Sequence, residues 1–257
     1  MPVLATDTAT ALHTLAIDIG GSHLKAGVLD DSGTVVAGPA RVVTPTPAAP
    51  DTVVSALVEM TRGLAPFARV SIGFPGVVRD GTVLTAPNLG TRQWQNFPFA
   101  ATMSQHLGKP VRVLNDASIQ GLGVISGQGL ECVITLGTGM GFSLFRNGQL
   151  MPHMEMGQHI AHGDKTYDQY VGEAGLRAAG RKRWNRRVRK VVGALNTLLN
   201  YDMLYIGGGN AMRIDFDLPR NIHIVSNEAG VTGGVRLWDP IMEADFAAAE
   251  PPATARA

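Results

Sequence analysis

Glycine clusters follow apolar runs at three places in the chain. Gly20-Gly21 follows Leu15–Ile19, Gly137-Thr138-Gly139-Met140-Gly141 follows Cys132–Leu136, and Gly207-Gly208-Gly209 follows Met203–Ile206. Backbone without a Cβ lets amide N–H groups approach an anion closely, so each cluster is a candidate phosphate loop. A P-loop requires Gly-Lys followed by Ser or Thr, and Gly108-Lys109 is followed by Pro110. A dinucleotide fingerprint needs its glycines between a strand and a helix. Gly137–Gly141 instead runs into Phe142-Ser143-Leu144-Phe145, a β-type run closing on Asn147-Gly148. What remains is a tight hairpin whose N–H groups converge on phosphate. Two such hairpins facing each other across a cleft would suit a phosphoryl donor, although each alone reads equally well as a plain turn.

Strands and helices must alternate to carry these loops. Leu15–Ile19 and Leu24–Leu29 read as strands, and Asp30-Asp31-Ser32-Gly33 as a turn into a third, Thr34–Ala37. After the Pro-rich loop Thr44–Pro50, Asp51 is expected to cap a helix with Val54, Leu57, Val58 and Leu64 on one side. Val70–Phe74 is a buried-type strand ending at Pro75-Gly76. A helix over Phe99–Leu107 leads to the strand Val111–Leu114, which runs into Asn115-Asp116. That pair is either a helix cap or the site of a reactive carboxylate. Shifting the sequence by 117 positions lays Asp18 on Thr135, Gly20 on Gly137, Ser22 on Gly139 and Asp30 on Asn147. The repetition implies two related α/β domains, expected at 13–117 and 118–240, with a cleft between them. Ala- and Thr-rich tails are expected at 1–12 and 247–257.

Composition narrows the partners. With 45% hydrophobic and 17% charged residues the chain reads as globular, and Cys132 alone cannot build a disulfide framework or a multi-cysteine zinc site. No apolar run reaches the ~18 residues of a membrane span, and the start lacks a signal-peptide pattern, so a cytoplasmic location is expected. A net charge of +1 argues against whole-protein nucleic-acid binding and leaves any polyanion site local. Such a site is visible from Ala174 to Tyr201. This stretch has no Asp or Glu, yet it carries eight of the 22 basic residues, Arg183, Arg186, Arg187 and Lys190 among them. Trp184, Val188, Val191, Leu195 and Leu198 follow helical spacing, which predicts one amphipathic helix with a cationic face. That face is either simply solvated or a track for a polyanion.

Six motifs in order carry a family resemblance. They are Ile17-Asp18-Ile19-Gly20-Gly21-Ser22 with Lys25; Gly73-Phe74-Pro75-Gly76; Pro87-Asn88-Leu89 followed by Trp94; Leu114-Asn115-Asp116-Ala117; Leu136-Gly137-Thr138-Gly139; and Gly207-Gly208-Gly209. Over Leu15 to Val235 the chain resembles the ROK sugar kinases. The resemblance implies an α/β, two-domain, actin-like (ribonuclease H-like) ATPase fold with an inter-domain cleft. Within the family it is similar to the polyphosphate glucokinase branch, because Asn147-Gly148-Gln149-Leu150-Met151-Pro152 reaches Glu155-Met156-Gly157 by a short connection. ATP-dependent relatives have a longer one and a Cys-rich zinc motif, so no structural zinc is expected here.

By resemblance, Asp116 is the general base toward the sugar's 6-hydroxyl, and Asn88, Asn115, Glu155 and Gln158 hold sugar hydroxyls. Asp18 orients magnesium and its waters on the donor. Gly20, Gly21, Ser22 and Lys25 form one side of the phosphate site, Gly137, Thr138 and Gly139 the other, and Gly207, Gly208 and Gly209 open toward an adenosine. Trp94 either supports the sugar loop or is a buried aromatic. The implied activity is a glucokinase using polyphosphate, ATP or both with Mg2+, in a homodimer, with the basic helix touching polyphosphate. One departure stands out: the family's Glu-x-Gly-His reads Glu155-Met156-Gly157-Gln158 here, with His159 one place late. This keeps an ATP-only kinase for another hexose or an amino sugar open, and also a non-catalytic sugar-binding regulator. His153, Glu155, His159, His162 and Asp164 read as a polar loop beside the sugar rather than a metal site.

Overall fold

In the first strand, β1 (Thr14–Ile19), the side chains of Leu15, Ile17 and Ile19 are buried in one core. β1 forms a hairpin with β2 (His23–Leu29), which pairs with β3 (Val35–Val43), longer than the sequence reading gave it. The structure is a computed structural model that describes residues 12–90, 92–226 and 229–246, so the expected tails lie, apart from residue 12, outside the described residues. Pro50 opens α1 (Pro50–Thr61), so Asp51 sits in the first turn rather than at the cap and Leu64 falls beyond the helix. There follow β4 (Arg69–Phe74), the small hairpin β5 (Val78–Arg79) and β6 (Thr82–Val83), α2 (Phe99–Leu107), β7 (Val111–Asn115) and α3 (Asp116–Leu122). The first sheet has the order β3-β2-β1-β4-β7, with β1, β4 and β7 parallel.

The second half repeats that plan. β8 (Leu130–Leu136), β9 (Met140–Arg146) and β10 (Gln149–Leu150) form an antiparallel meander. A small hairpin, β11 (Ile160–His162) and β12 (Lys165–Thr166), precedes α4 (Tyr167–Val171), α5 (Glu173–Ala179) and α6 (Arg181–Leu199). Next come β13 (Met203–Gly207) and β14 (Ile222–Ile224), parallel to β8, and finally α7 (Ala229–Arg236) and α8 (Glu243–Phe246). The order β10-β9-β8-β13-β14 has the same third-second-first-fourth-fifth arrangement as the first sheet. The repeat read at a spacing of 117 thus corresponds to a repeated topology.

The predicted stripe from Trp184 to Leu198 lies in one helix, α6, while the start of the basic stretch, with Arg177, belongs to α5. Gly180, at φ 72°, ends α5 and starts α6, a backbone angle that side chains strongly disfavour. Trp184, Val188, Val191 and Leu195 pack beneath the second sheet, but Leu198 is 66% exposed and Leu199 packs against that core in its place. Truncating one of the buried residues to Ala costs about 2–5 kcal/mol.

Two helices join the halves. α3 leaves the first sheet and packs against β8 and β9 of the second through Ile119 and Leu122. α7 returns from the second half to pack on α3, β1 and β4. There the Ser71 hydroxyl donates to the Gly234 carbonyl oxygen, and the absence of a Cβ at Gly234 lets it approach Ala16.

Candidate active site

Asp116 is the first residue of α3 and follows the last residue of β7. Asn115 is the helix N-cap: its Oδ1 accepts from Ala117 N–H at 2.9 Å, and its Nδ2 donates to the Gly76 carbonyl at 3.1 Å. The two readings of the pair are compatible: Asn115 caps the helix and Asp116 lines the cleft. Gly73 on the neighbouring strand lies beside Asp116, and a Cβ there would meet the Asp116 Cα at 3.5 Å, an ordinary contact. Burial, then the Asp18 carboxylate, push the Asp116 carboxyl up to about 7, against the Ala117 N–H, which favours the charged form. A carboxyl at that value is suited to accept a proton near neutral pH.

The surrounding cleft has a volume of about 400 Å³. Gly20, Gly21, Asp18 and Lys25 line one wall, and Gly137, Thr138 and Gly139 line another. Gly208, Gly209, Asn88, Asn115, Glu155 and Gln158 line it as well, with Asn88 lying against Gly21 and Gly157 against Met140. Ser22 and Gly207 sit beside the lining rather than in it. Lys25 and Asp18 are cross-strand partners paired at 3.1 Å, each about half exposed. The Glu155 carboxylate meets His153 Nε2 at 2.8 Å, and His153 Nδ1 is buried without a partner among the described residues. Gln158 donates from Nε2 to Asp168 Oδ2 at 2.8 Å. Trp94 is fully buried, donates to the Ala48 carbonyl at 2.7 Å and packs on Phe74 and Phe99, so it shapes the core rather than the cleft lining.

Sequence reading missed the residues that hold the loops. The Thr44 hydroxyl donates to the Gly20 carbonyl at 2.6 Å and fixes the first hairpin. Asn210 donates from its backbone to Leu136 and from Nδ2 to Gly137, tying the third glycine cluster to the second hairpin. Asp168 accepts from Met140 N–H at 2.7 Å, and burial raises its carboxyl above the ordinary range. None of these carries a local signal: Thr44 lies in a Pro-rich loop, and Asp168 looks like any acid in a first helical turn. Among the described residues no group of three or more His, Cys, Asp or Glu is placed to hold a metal ion, and no helix is long and apolar enough to cross a membrane.

The basic helix begins beside the glycine end of the cleft. Arg181 and Asn185 donate to the Arg213 carbonyl, in the short turn Ala211–Arg213 that follows Gly208, Gly209 and Asn210. Arg183, Arg186 and Lys190 are exposed with no hydrogen bond or ion pair among the described residues. Arg187 differs: it donates to the Tyr170 carbonyl at 3.1 Å and stacks on the Tyr170 ring at 4.8 Å, so it is occupied in holding α4.

Two sheets of one topology, linked by α3 and α7 around a cleft with paired glycine hairpins, define the actin-like ATPase fold in the form sugar kinases use. The chain belongs to the ROK family, whose family model matches residues 14–175, and it is a hexose kinase, a phosphotransferase with an alcohol acceptor. It is 31% identical to a polyphosphate glucokinase of Mycobacterium tuberculosis over 227 residues, 82% of each chain. It is also similar to the solved inorganic polyphosphate/ATP-glucomannokinase of Arthrobacter sp. strain KM. That match has a TM-score of 0.78 and 29% identity and covers 87% of this chain and 97% of the other. A ROK family glucokinase from Streptomyces griseus, solved with glucose and AMPPNP, shares the fold at a TM-score of 0.71 and 21% identity. It matches 88% of this chain and 98% of that one.

Proposed function

We propose that this kinase transfers a phosphoryl group to the 6-hydroxyl of glucose from inorganic polyphosphate, with ATP as a second donor. The observation that carries the donor is the position of α6. Its exposed cations Arg183, Arg186 and Lys190, spaced three and four residues apart on one helix face, start from the same turn that closes the glycine end of the cleft. To reach them, a chain of phosphates leaving the cleft over Gly208 and Gly209 would pass round the start of α6, since Arg181 and Asn185, which hold the turn, lie on the opposite helix face. The naming of the mycobacterial and Arthrobacter relatives supports the same donor and acceptor.

In this reading the hairpins hold the donor through backbone N–H groups, and Asn88 and Glu155 hold the sugar. Asp116 takes the 6-hydroxyl proton as that oxygen bonds to phosphorus and the bond to the donor's bridging oxygen breaks. The Asp18 carboxylate, facing the donor hairpin beside Lys25, has the chemistry to hold Mg2+ together with phosphate oxygens. The ion would supply charge neutralisation on the transferring group. The units 13–117 and 118–240 close over the substrates about α3 and α7.

The test is a matrix of polyphosphate, ATP and GTP against glucose, mannose and N-acetylated hexoses, reading sugar 6-phosphate. Glucose with polyphosphate should give the highest kcat/KM. Activity with ATP alone, or only with an amino sugar, overturns the donor or the acceptor assignment respectively. Sugar binding without turnover under any donor would identify a regulator.

A further inference from the structure

Beside the second glycine hairpin stands a charged group that is not part of the cleft lining. Glu173 opens α5, and its backbone N–H donates to the Gly137 carbonyl at 2.9 Å and the Thr138 carbonyl at 3.3 Å. Its carboxylate accepts from Arg177 Nε at 2.7 Å, and the Asn210 side-chain amide donates to it as well. Asn210 follows Gly209 and ties the third glycine cluster to Gly137 through Nδ2 at 3.3 Å. Three residues on, the exposed Arg213 side chain makes no hydrogen bond or ion pair among the described residues, yet its charge acts on Glu173. The Arg177 bond, then the Asn210 bond, hold the Glu173 carboxyl below the ordinary carboxylate range, so it is charged at neutral pH.

Two guanidinium groups and one carboxylate are thus tied to Gly137 and to the segment that follows Gly208 and Gly209. A nucleoside triphosphate carries its charge on three phosphates and then continues as an uncharged nucleoside. A condensed phosphate keeps a charge at every phosphorus beyond that point. We propose that Arg177 and Arg213 form a phosphate subsite outside the cleft, selective for a condensed phosphate. Glu173 is its positioning residue: it holds Arg177 and Asn210 to the donor hairpin while opposing the chain with its own charge. The subsite lies where the chain passes round the start of α6 toward Arg183, Arg186 and Lys190. The inference rests on the reading of polyphosphate as the donor.

The test reads polyphosphate KM and ATP KM at saturating glucose, and the Kd of a short polyphosphate by calorimetry without sugar. Arg213→Ala removes a cation that has no described side-chain partner. Polyphosphate KM and Kd should rise about threefold to fivefold with a shallower salt dependence, and ATP KM should stay within about twofold. Glu173→Gln keeps an amide oxygen for Arg177 and the backbone bond to Gly137, so it should do the reverse and lower polyphosphate KM about threefold. Arg177→Ala strips Glu173 of its counter-charge and should raise polyphosphate KM more than Arg213→Ala does. Adding Glu173→Gln to Arg177→Ala should recover about threefold. Residues that merely brace the hairpin would weaken both donors alike and leave the salt dependence unmoved. Unchanged polyphosphate KM and Kd in Arg213→Ala, or equal losses for polyphosphate and ATP, overturn the subsite. Weaker polyphosphate binding in Glu173→Gln overturns the opposing role of its charge. A parent protein that neither binds nor uses polyphosphate overturns the donor reading itself, and the subsite with it.

Discussion

The side-chain amide of Asn115 bridges to the carbonyl of Gly76 at 3.1 Å while its oxygen caps α3. One residue therefore fastens the loop after β4 to the helix that begins with Asp116. Replacing it with Ala removes a cap worth about 1 kcal/mol and leaves the Gly76 carbonyl without its partner, costing about 1–3 kcal/mol more. Asn115→Ala should lower the denaturation midpoint by that sum and reduce kcat, with Asp116 no longer held in place. Asn115→Asp should keep the cap, lose the bond to Gly76 and recover only the first part, as read by urea unfolding.

The Asp116 carboxyl must be ionised to accept a proton, and the fold holds it at about 7. kcat/KM for glucose should therefore rise with unit slope below neutral pH and level off above about pH 7.5. Asp116→Asn should lose at least about a thousandfold in kcat, consistent with removal of a general base together with its orientation. A pH profile flat from about 5.5 to 8 in the parent enzyme would falsify the assignment.

The same shift has a sign for stability. Asp116 is protonated in the fold between its unfolded value, about 3.9, and about 7, so its ionisation destabilises the native state as pH rises through that window. Asp116→Asn should be more stable than the parent at pH 8, by about 2 kcal/mol after allowing for water in the cleft. That advantage should vanish below about pH 4. Thermal melts of both proteins on either side of that window measure it.

Neighbouring arginines of α6 should behave oppositely. Arg186→Glu leaves every described contact intact, and we expect a severalfold rise in polyphosphate KM with a shallower salt dependence and an unchanged melting temperature. Arg187→Ala loses the Tyr170 carbonyl and the ring beneath it, so about 1–2 kcal/mol of stability should go. Equal effects of the two substitutions on polyphosphate KM would remove the basis for a track on one face.

Gly208 and Gly209 differ as sharply. Gly208 holds φ at 87°, and a Cβ there would strike the backbone of Leu136, whereas a Cβ on Gly209 meets nothing within 4 Å. Gly208→Ala should destabilise by more than about 2 kcal/mol and abolish donor binding. Gly209→Ala should fold as the parent does, which circular dichroism melts and donor titrations will separate.

What the sequence determined by itself was local. Strand, glycines and strand follow one another within a short window, so both hairpins and their repetition can be read without the fold. Asp116 is legible for the same reason, because an apolar strand, a capping Asn and an acid are consecutive. The break at Gly180 was not read, since it precedes the apolar stripe, which starts at Trp184, and the run of cations continues on both sides of it. Tertiary structure alone decided what pairs at long range. Gln158 finds Asp168 on another element, Arg187 is consumed by Tyr170, Thr44 holds Gly20, and α7 comes back to Ser71 across most of the chain. These outcomes depend on which surfaces meet once two like sheets have packed around α3 and α7. Residue type fixes what each group can donate or accept, and only the packed fold decides which partner it receives.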